Sequence, residues 1–328
     1  MHPDAEELLA DAHVVRLPLV TRFRGVTERE AVLLHGPSGW GEFSPFLEYD
    51  DAEASAWLAA AIDAAWGEPV PGLRSEIPVN ATLPTVPVHR IREVLERFGE
   101  VRTVKVKVAD AGETLADDVA RVREVRRILG PAGRIRVDAN GGWSLDQAER
   151  AAHELAPFDL EYLEQPCATV PELAELRERL RRWQLPIAAD ESVRKADDPL
   201  AVARAGAADL LVVKVQPLGG VARALRIVDE AGLPAVVSSA IDTSIGLAMG
   251  ARLAAALPEL AYDCGLGTAA LLAADVAAEP LAPVDGVIPV RAVEPDAELL
   301  RRYAAPPDRV AWWQERVRRC AALLAEAE

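Results

Sequence analysis

Short apolar runs recur through the middle of the chain, and five of them end on an ionisable residue. These are Val104-Lys105-Val106-Lys107, Ile135-Arg136-Val137-Asp138, Leu160-Glu161-Tyr162-Leu163-Glu164, Pro186-Ile187-Ala188-Ala189-Asp190 and Leu210-Leu211-Val212-Val213-Lys214. From Lys107 to Lys214 their ends lie 31, 26, 26 and 24 residues apart. Each interval holds one strand, one helix and two loops. Residues 77–81 predict a strand ahead of this series, with a helix over 88–98 behind it. Residues 235–239 and 260–264 predict a seventh and an eighth strand. Between strands the apolar spacing turns helical, as in Val119, Val122, Val125, Ile128 and Leu129. Gly232 and Pro234 stop the helix before strand seven. Such a repeat predicts a closed parallel barrel, with its chemistry at the C-terminal strand ends.

The flanks read differently. Residues 13–20 and 30–35 alternate as strands, and the polar, Gly-containing stretch 21–27 between them predicts a mobile loop. Gly36-Pro37-Ser38-Gly39 lacks the Lys and Ser/Thr of a phosphate loop and reads as a turn. An Ala-rich helix over 51–66 follows, and Pro69, Pro71 and Gly72 end this small α+β unit. After the eighth strand the rhythm fails. Residues 268–274 read as a short helix, 287–290 as a strand returning to the small unit, and a terminal helix starts at 311.

With 328 residues, the chain accommodates one barrel and a smaller domain, or two ordinary domains. Half the residues are hydrophobic and 27% are charged, as in soluble globular proteins. A net charge of −16 without a basic block disfavours nucleic acid and anionic membranes as partners. The N-terminus is acidic where a signal peptide needs positive charge, and no long uncharged apolar stretch occurs, so a cytoplasmic location is expected. A small-molecule carboxylate substrate is the expected partner, and a monomer is favoured with an oligomer left open.

Asp138, Glu164 and Asp190 change the picture most. Three carboxylates meeting in one barrel mouth repel one another unless a cation lies between them. Oxygen donors without His or Cys suit Mg²⁺, with Mn²⁺ as a substitute, rather than zinc. The five histidines all lie away from the strand ends. The plainer alternative is that acidic residues simply open the loops after strands. Lys105 and Lys107 share one strand face. Their mutual repulsion, with partial burial, is expected to depress one ammonium, making Lys107 the better base and leaving Lys105 to hold a substrate oxygen or tune its neighbour. Lys214 closes the ring from the opposite side.

Several neighbours carry two readings. Asn140 orders the metal shell or simply forms a turn; Arg136 points with Asp138 and pairs a neighbouring carboxylate. Glu191 faces outward unless the strand end bends. Ser238 and Ser239 donate to a substrate carboxylate or play an ordinary strand-end part. Gly219-Gly220 is a helix-entry turn in preference to an anion site. Cys167 and Cys264 have no histidine beside them, which argues against thiol chemistry.

At these positions the chain resembles the enolase superfamily, in its muconate-lactonising-enzyme subgroup. The resemblance rests on Lys105-Val106-Lys107, Asp138-Ala139-Asn140, Glu164-Gln165-Pro166, Asp190-Glu191-Ser192 and Lys214. The runs 213–220, 238–246 and 264–268 resemble the branch that makes 2-succinylbenzoate for menaquinone. The resemblance implies a modified (β/α)₇β TIM-type barrel over 76–279, with an α+β capping domain over 1–75 completed by about 280–328. It implies that the loop around Arg22 to Thr27 closes over the substrate, and that Arg24 and Gly265 join Ser238 and Ser239 in binding it. The implied reaction is the syn-elimination of water from 2-succinyl-6-hydroxy-2,4-cyclohexadiene-1-carboxylate through a magnesium-stabilised ene-diolate. N-succinylamino-acid racemisation and dipeptide epimerisation are the alternatives. The second is weakened because the run after strand eight is Asp263-Cys264-Gly265, not a pair of aspartates.

Overall fold

The computed structural model describes residues 3–23, 25–195 and 198–327. Helix α1 (Ala5–Leu9) starts on Asp4, whose carboxylate accepts from the Glu6 and Glu7 N–H groups. Strands β1 (His13–Phe23), β2 (Val26–Gly36) and β3 (Gly39–Phe43) form an antiparallel sheet in that order. Helix α2 (Asp51–Trp66) packs on it so closely that a Cβ on Gly41 would come within 2.1 Å of the Ala61 carbonyl oxygen. Among the described residues, the stretch expected as a loop over 21–27 is mainly strand. Strand pairing runs up to Phe23 opposite Val26, and Gly25 turns the tip at φ +82°. A register shift between Pro18 and Phe23 absorbs the extra residues, which hid the alternation from a reading of the sequence.

Strand β4 (Glu76–Pro78) opens the larger unit. Then follow β5 (Ala81–Leu83), α3 (Ile91–Glu96), β6 (Thr103–Lys107), α4 (Leu115–Leu129), β7 (Arg134–Asp138), α5 (Leu145–Leu155), β8 (Leu160–Glu164) and α6 (Val170–Leu180). Next come β9 (Ile187–Ala189), the short helices α7 (Glu191–Arg194) and α8 (Ala201–Arg204), β10 (Leu210–Val213), α9 (Val221–Ala231), β11 (Ala235–Val237) and α10 (Ser244–Ala256). Strands β5 to β11 lie in sequence order, each parallel to the next. Helices α4, α5 and α6 each begin with a reciprocal capping box: Thr114 with Asp117, Ser144 with Gln147, Thr169 with Glu172.

Two predicted strands are corrected. The run 77–81 divides at Val79 and Asn80, whose N–H groups go to Gly286 and Cys264. Its first part, β4, pairs antiparallel with β12 (Val287–Pro289), and the barrel strand starts at Ala81. The eighth strand shrinks to two bridging residues: Cys264 meets Val79, Gly265 meets Ser238, and these links close the ring. Asp263 is drawn aside by Arg102, Thr103 and Arg134. Helix α11 (Ala297–Arg302) and helix α12 (Pro307–Glu326) finish the chain; α12 starts four residues before 311 because proline suits a first helical turn.

Alternate strand residues face opposite ways. Val104, Val106, Ile135, Val137 and Leu163 join the main core under the helices, while Tyr162, Ala188, Leu210, Val212 and Val236 fill the barrel interior. A second core joins the N-terminal sheet to α12 through Phe43, Trp57, Trp313 and Val317. Among the described residues no helix is long and apolar enough to cross a membrane.

Candidate active site

One layer above that interior cluster, period-two direction brings Lys105, Lys107, Asp138, Glu164, Asp190 and Lys214 to the barrel mouth. Lys107, Asp138 and Glu164 are register partners on adjacent strands. Asp190 and Lys214 stand one residue past β9 and β10. All three carboxylates are buried. Lys105 Nζ lies 2.8 Å from Glu164 Oε1 and 3.3 Å from Asp138 Oδ2. Lys107 bonds Asp138 and, at 2.8 Å, Asn140 Oδ1, while Lys214 bonds Asp190.

Charge follows from this geometry. Burial opposes the charged form of Asp138, yet Lys107 and Lys105 hold its carboxyl well below the usual range. Burial opposes Asp190 likewise, and Lys214 and Arg194 prevail. Glu164 is pushed up to about 7 by burial and by Asp138, with Lys105 working the other way. The expected depression of an ammonium is not met at Lys105. Burial would lower it, but Glu164 and Asp138 hold it above the lysine range. Lys214 is the lysine that burial keeps low, against the pull of Asp190.

Among the described residues no three His, Cys, Asp or Glu groups gather closely enough to hold an ion as they stand. The lysines explain this, since Lys105 spans Glu164 and Asp138 while Lys214 occupies Asp190. The donors nevertheless fit a hard divalent cation. They are all oxygen, and Glu164 Oε2 is buried without a hydrogen-bond partner. The repulsion that raises Glu164 is what a cation would relieve.

The surrounding residues divide. Asn140, at φ +47°, accepts from Lys107 and donates to Glu191 Oε1 at 3.1 Å, so Glu191 turns toward the mouth rather than outward. Gln165 braces the Asp190 turn, its Oε1 accepting the Asp190 and Ser192 N–H groups. Arg136 lies one layer down, on Glu161, Asn80 Oδ1 (3.0 Å) and the Asp263 carbonyl, away from the three carboxylates. Ser238 and Ser239 both line the pocket. Ser239 Oγ donates to the Gly265 carbonyl at 2.7 Å, and a Cβ on Gly265 would sit 2.4 Å from Ser238 Oγ. Arg24 lies outside the described residues. Gly219-Gly220 offers no anion site, because Asp63 Oδ2 already accepts the Val221 N–H. Burial pushes the Cys167 thiol up to about 11 and that of Cys264 to about 12.

A pocket lined by Lys105, Lys107, Asp138, Asp190 and Lys214 is also walled by Phe23, Phe46 and Trp57 from the N-terminal unit. Sequence reasoning missed those aromatics, and also Arg194, Tyr49, Glu42 and Asp242. Arg194 alone left a trace, four residues after Asp190 at helical spacing.

Residues 88–296 match the family model described as Enolase C-terminal domain-like, and residues 14–65 match Enolase N-terminal domain-like. The chain is 57% identical to an o-succinylbenzoate synthase of Mycobacterium leprae over 325 residues, covering 99% of this chain and 95% of that protein. It is 57% identical to that of Mycobacterium marinum over 319 residues, 97% and 95% of the two chains. Among solved structures, 2-chloromuconate cycloisomerase from Rhodococcus opacus aligns with a TM-score of 0.75 at 25% identity, covering 90% of this chain and 98% of the other. Muconate lactonizing enzyme from Pseudomonas putida aligns at 0.73 and 22% identity over the same shares, a likeness of fold.

Proposed function

This chain belongs to the enolase superfamily and, within it, to the o-succinylbenzoate synthase family; from that premise we propose how its own residues divide the work. It is a lyase of menaquinone biosynthesis that removes water from 2-succinyl-6-hydroxy-2,4-cyclohexadiene-1-carboxylate and releases 2-succinylbenzoate. The observation that carries the residue assignment is the buried row of Lys107, Asp138 and Glu164 on register-paired strand ends, with Lys214 bonded to Asp190 beyond them.

Asp138, Glu164 and Asp190 would hold Mg²⁺, or Mn²⁺ in its place, and the bound ion supplies positive charge that acidifies the proton beside the ring carboxylate. Lys107 takes that proton on its side-chain nitrogen. The C–H electron pair becomes the new ring double bond, the C–O bond breaks, and the same amine returns the proton to the departing hydroxyl on the same ring face. Asn140 Oδ1 keeps the Lys107 nitrogen aimed during both transfers. Lys105, kept charged by Glu164 and Asp138, offers an N–H to a substrate oxygen. Lys214 opposes the developing negative charge from the other side. Ser238 donates to the substrate carboxylate, Ser239 braces that segment, and the missing Cβ of Gly265 leaves room for the Ser238 side chain beside the substrate. Phe23, Phe46 and Trp57 keep water from the ring.

Dipeptide epimerisation gains no support, since Asp263 is bound to Arg102, Thr103 and Arg134 beneath the mouth. The test is product formation by purified protein, with Mg²⁺ and after chelation. We expect 2-succinylbenzoate only with the divalent cation. Equal turnover after complete chelation would overturn the ligand assignment, and incubation with N-succinylamino acids in D₂O measures any accompanying racemisation.

A further inference from the structure

Arg194 is almost wholly buried, and each of its three guanidinium nitrogens has a different partner. Nε donates to Asp190 Oδ1 at 2.9 Å, Nη2 to Glu191 Oε1 at 2.6 Å, and Nη1 to the Tyr49 hydroxyl at 3.1 Å. The first two partners belong to its own segment. Tyr49 comes from the N-terminal unit, 145 residues earlier in the chain. Its ring meets Phe46 at 5.6 Å and Trp57 at 6.0 Å, two of the three aromatics that wall the pocket, and Lys195 Nζ lies 3.9 Å from its centroid. Glu191 Oε1 also accepts from Asn140, whose own oxygen accepts from Lys107.

We propose that Arg194 is a positioning residue that ties the orientation of Asp190, and through Glu191 and Asn140 that of Lys107, to the seating of Tyr49. The inference rests on the ligand role given above to Asp190. A planar fork with fixed N–H directions satisfies three partners at once; a lysine ammonium cannot reproduce that arrangement. Loss of the Tyr49 hydroxyl leaves Nη1 without its acceptor, so the fork is free to rotate away from Asp190. The aromatic wall and the charge balance stay as they were.

Tyr49→Phe tests this, with Arg194→Lys beside it and Cys320→Ala as a control for loosening of the apolar cluster that also holds Tyr49. Mn²⁺ affinity is titrated without substrate on protein shown by circular dichroism to be folded, and kcat is measured separately. Tyr49→Phe is expected to weaken Mn²⁺ binding by roughly 10-fold, within the usual span for groups that orient metal ligands, and to lower kcat with it. Arg194→Lys is expected to weaken it further, while Cys320→Ala leaves affinity unchanged. Unaltered affinity and kcat in Tyr49→Phe would overturn the proposal, as would an equal loss of affinity in Cys320→Ala. A wild-type protein that binds no Mn²⁺ would instead overturn the ligand assignment itself.

Discussion

Lys105 lies between Glu164 and Asp138 and offsets the repulsion of two buried carboxylates on neighbouring strands. Removing one partner from a buried ion group leaves uncompensated charge, at a cost of about 3–5 kcal/mol. Lys105→Met should therefore lose that order of stability in metal-free buffer. Mg²⁺, by binding the folded state, should restore a clear part of it. Urea unfolding with and without Mg²⁺ checks this, and an equal loss in both would count against a cation among these carboxylates. Five of the six charged positions were legible because each ends an apolar run, and Lys105 because the strand period puts it on the face of Lys107. Arg194 and Tyr49 were not. Their bond joins segments that no local pattern relates, and Lys105 kept its charge because partners from two other strands outweigh burial.

Helix α10 shows how the two units are joined. Glu42, on β3, accepts from the Thr243 N–H and hydroxyl and from the Gly246 N–H at the start of that helix. A Cβ on Gly246 would lie 2.9 Å from the Glu42 carboxylate. Burial, and then Asp242, push Glu42 up to about 7 from 4.5. Between those values the folded protein binds more protons than the unfolded chain, so stability falls as pH rises through the window. Glu42→Gln should flatten that part of the profile, measured as unfolding free energy from pH 4.5 to 8. An unchanged slope would show that Glu42 is not its source. Helices such as α4 could be read from sequence because the apolar spacing of Val119, Val122 and Val125 is local. Residues 77–81 and 260–264 could not. The first part of one run pairs with β12, far along the chain, and Asp263 answers to two arginines outside its own run.

Across the entire chain, the barrel supplies the ionisable ring and the N-terminal unit supplies Phe23, Phe46 and Trp57 over it. Repeat spacing announced the barrel, since every βα unit repeats a similar length. The closeness of the N-terminal wall was hidden, because it depends on contacts such as Gln216 Oε1 accepting the Ser44 N–H. The account assigns both proton transfers to Lys107 and an electrostatic part to Lys214. The decisive comparison is the dehydration rate of Lys107→Ala and Lys214→Arg, each folded and loaded with Mg²⁺, against the wild type. Lys107→Ala should fall by at least the ~10²–10⁴ associated with general acid–base catalysis, while Lys214→Arg keeps measurable turnover. A Lys107→Ala protein that dehydrates at the wild-type rate would contradict the account.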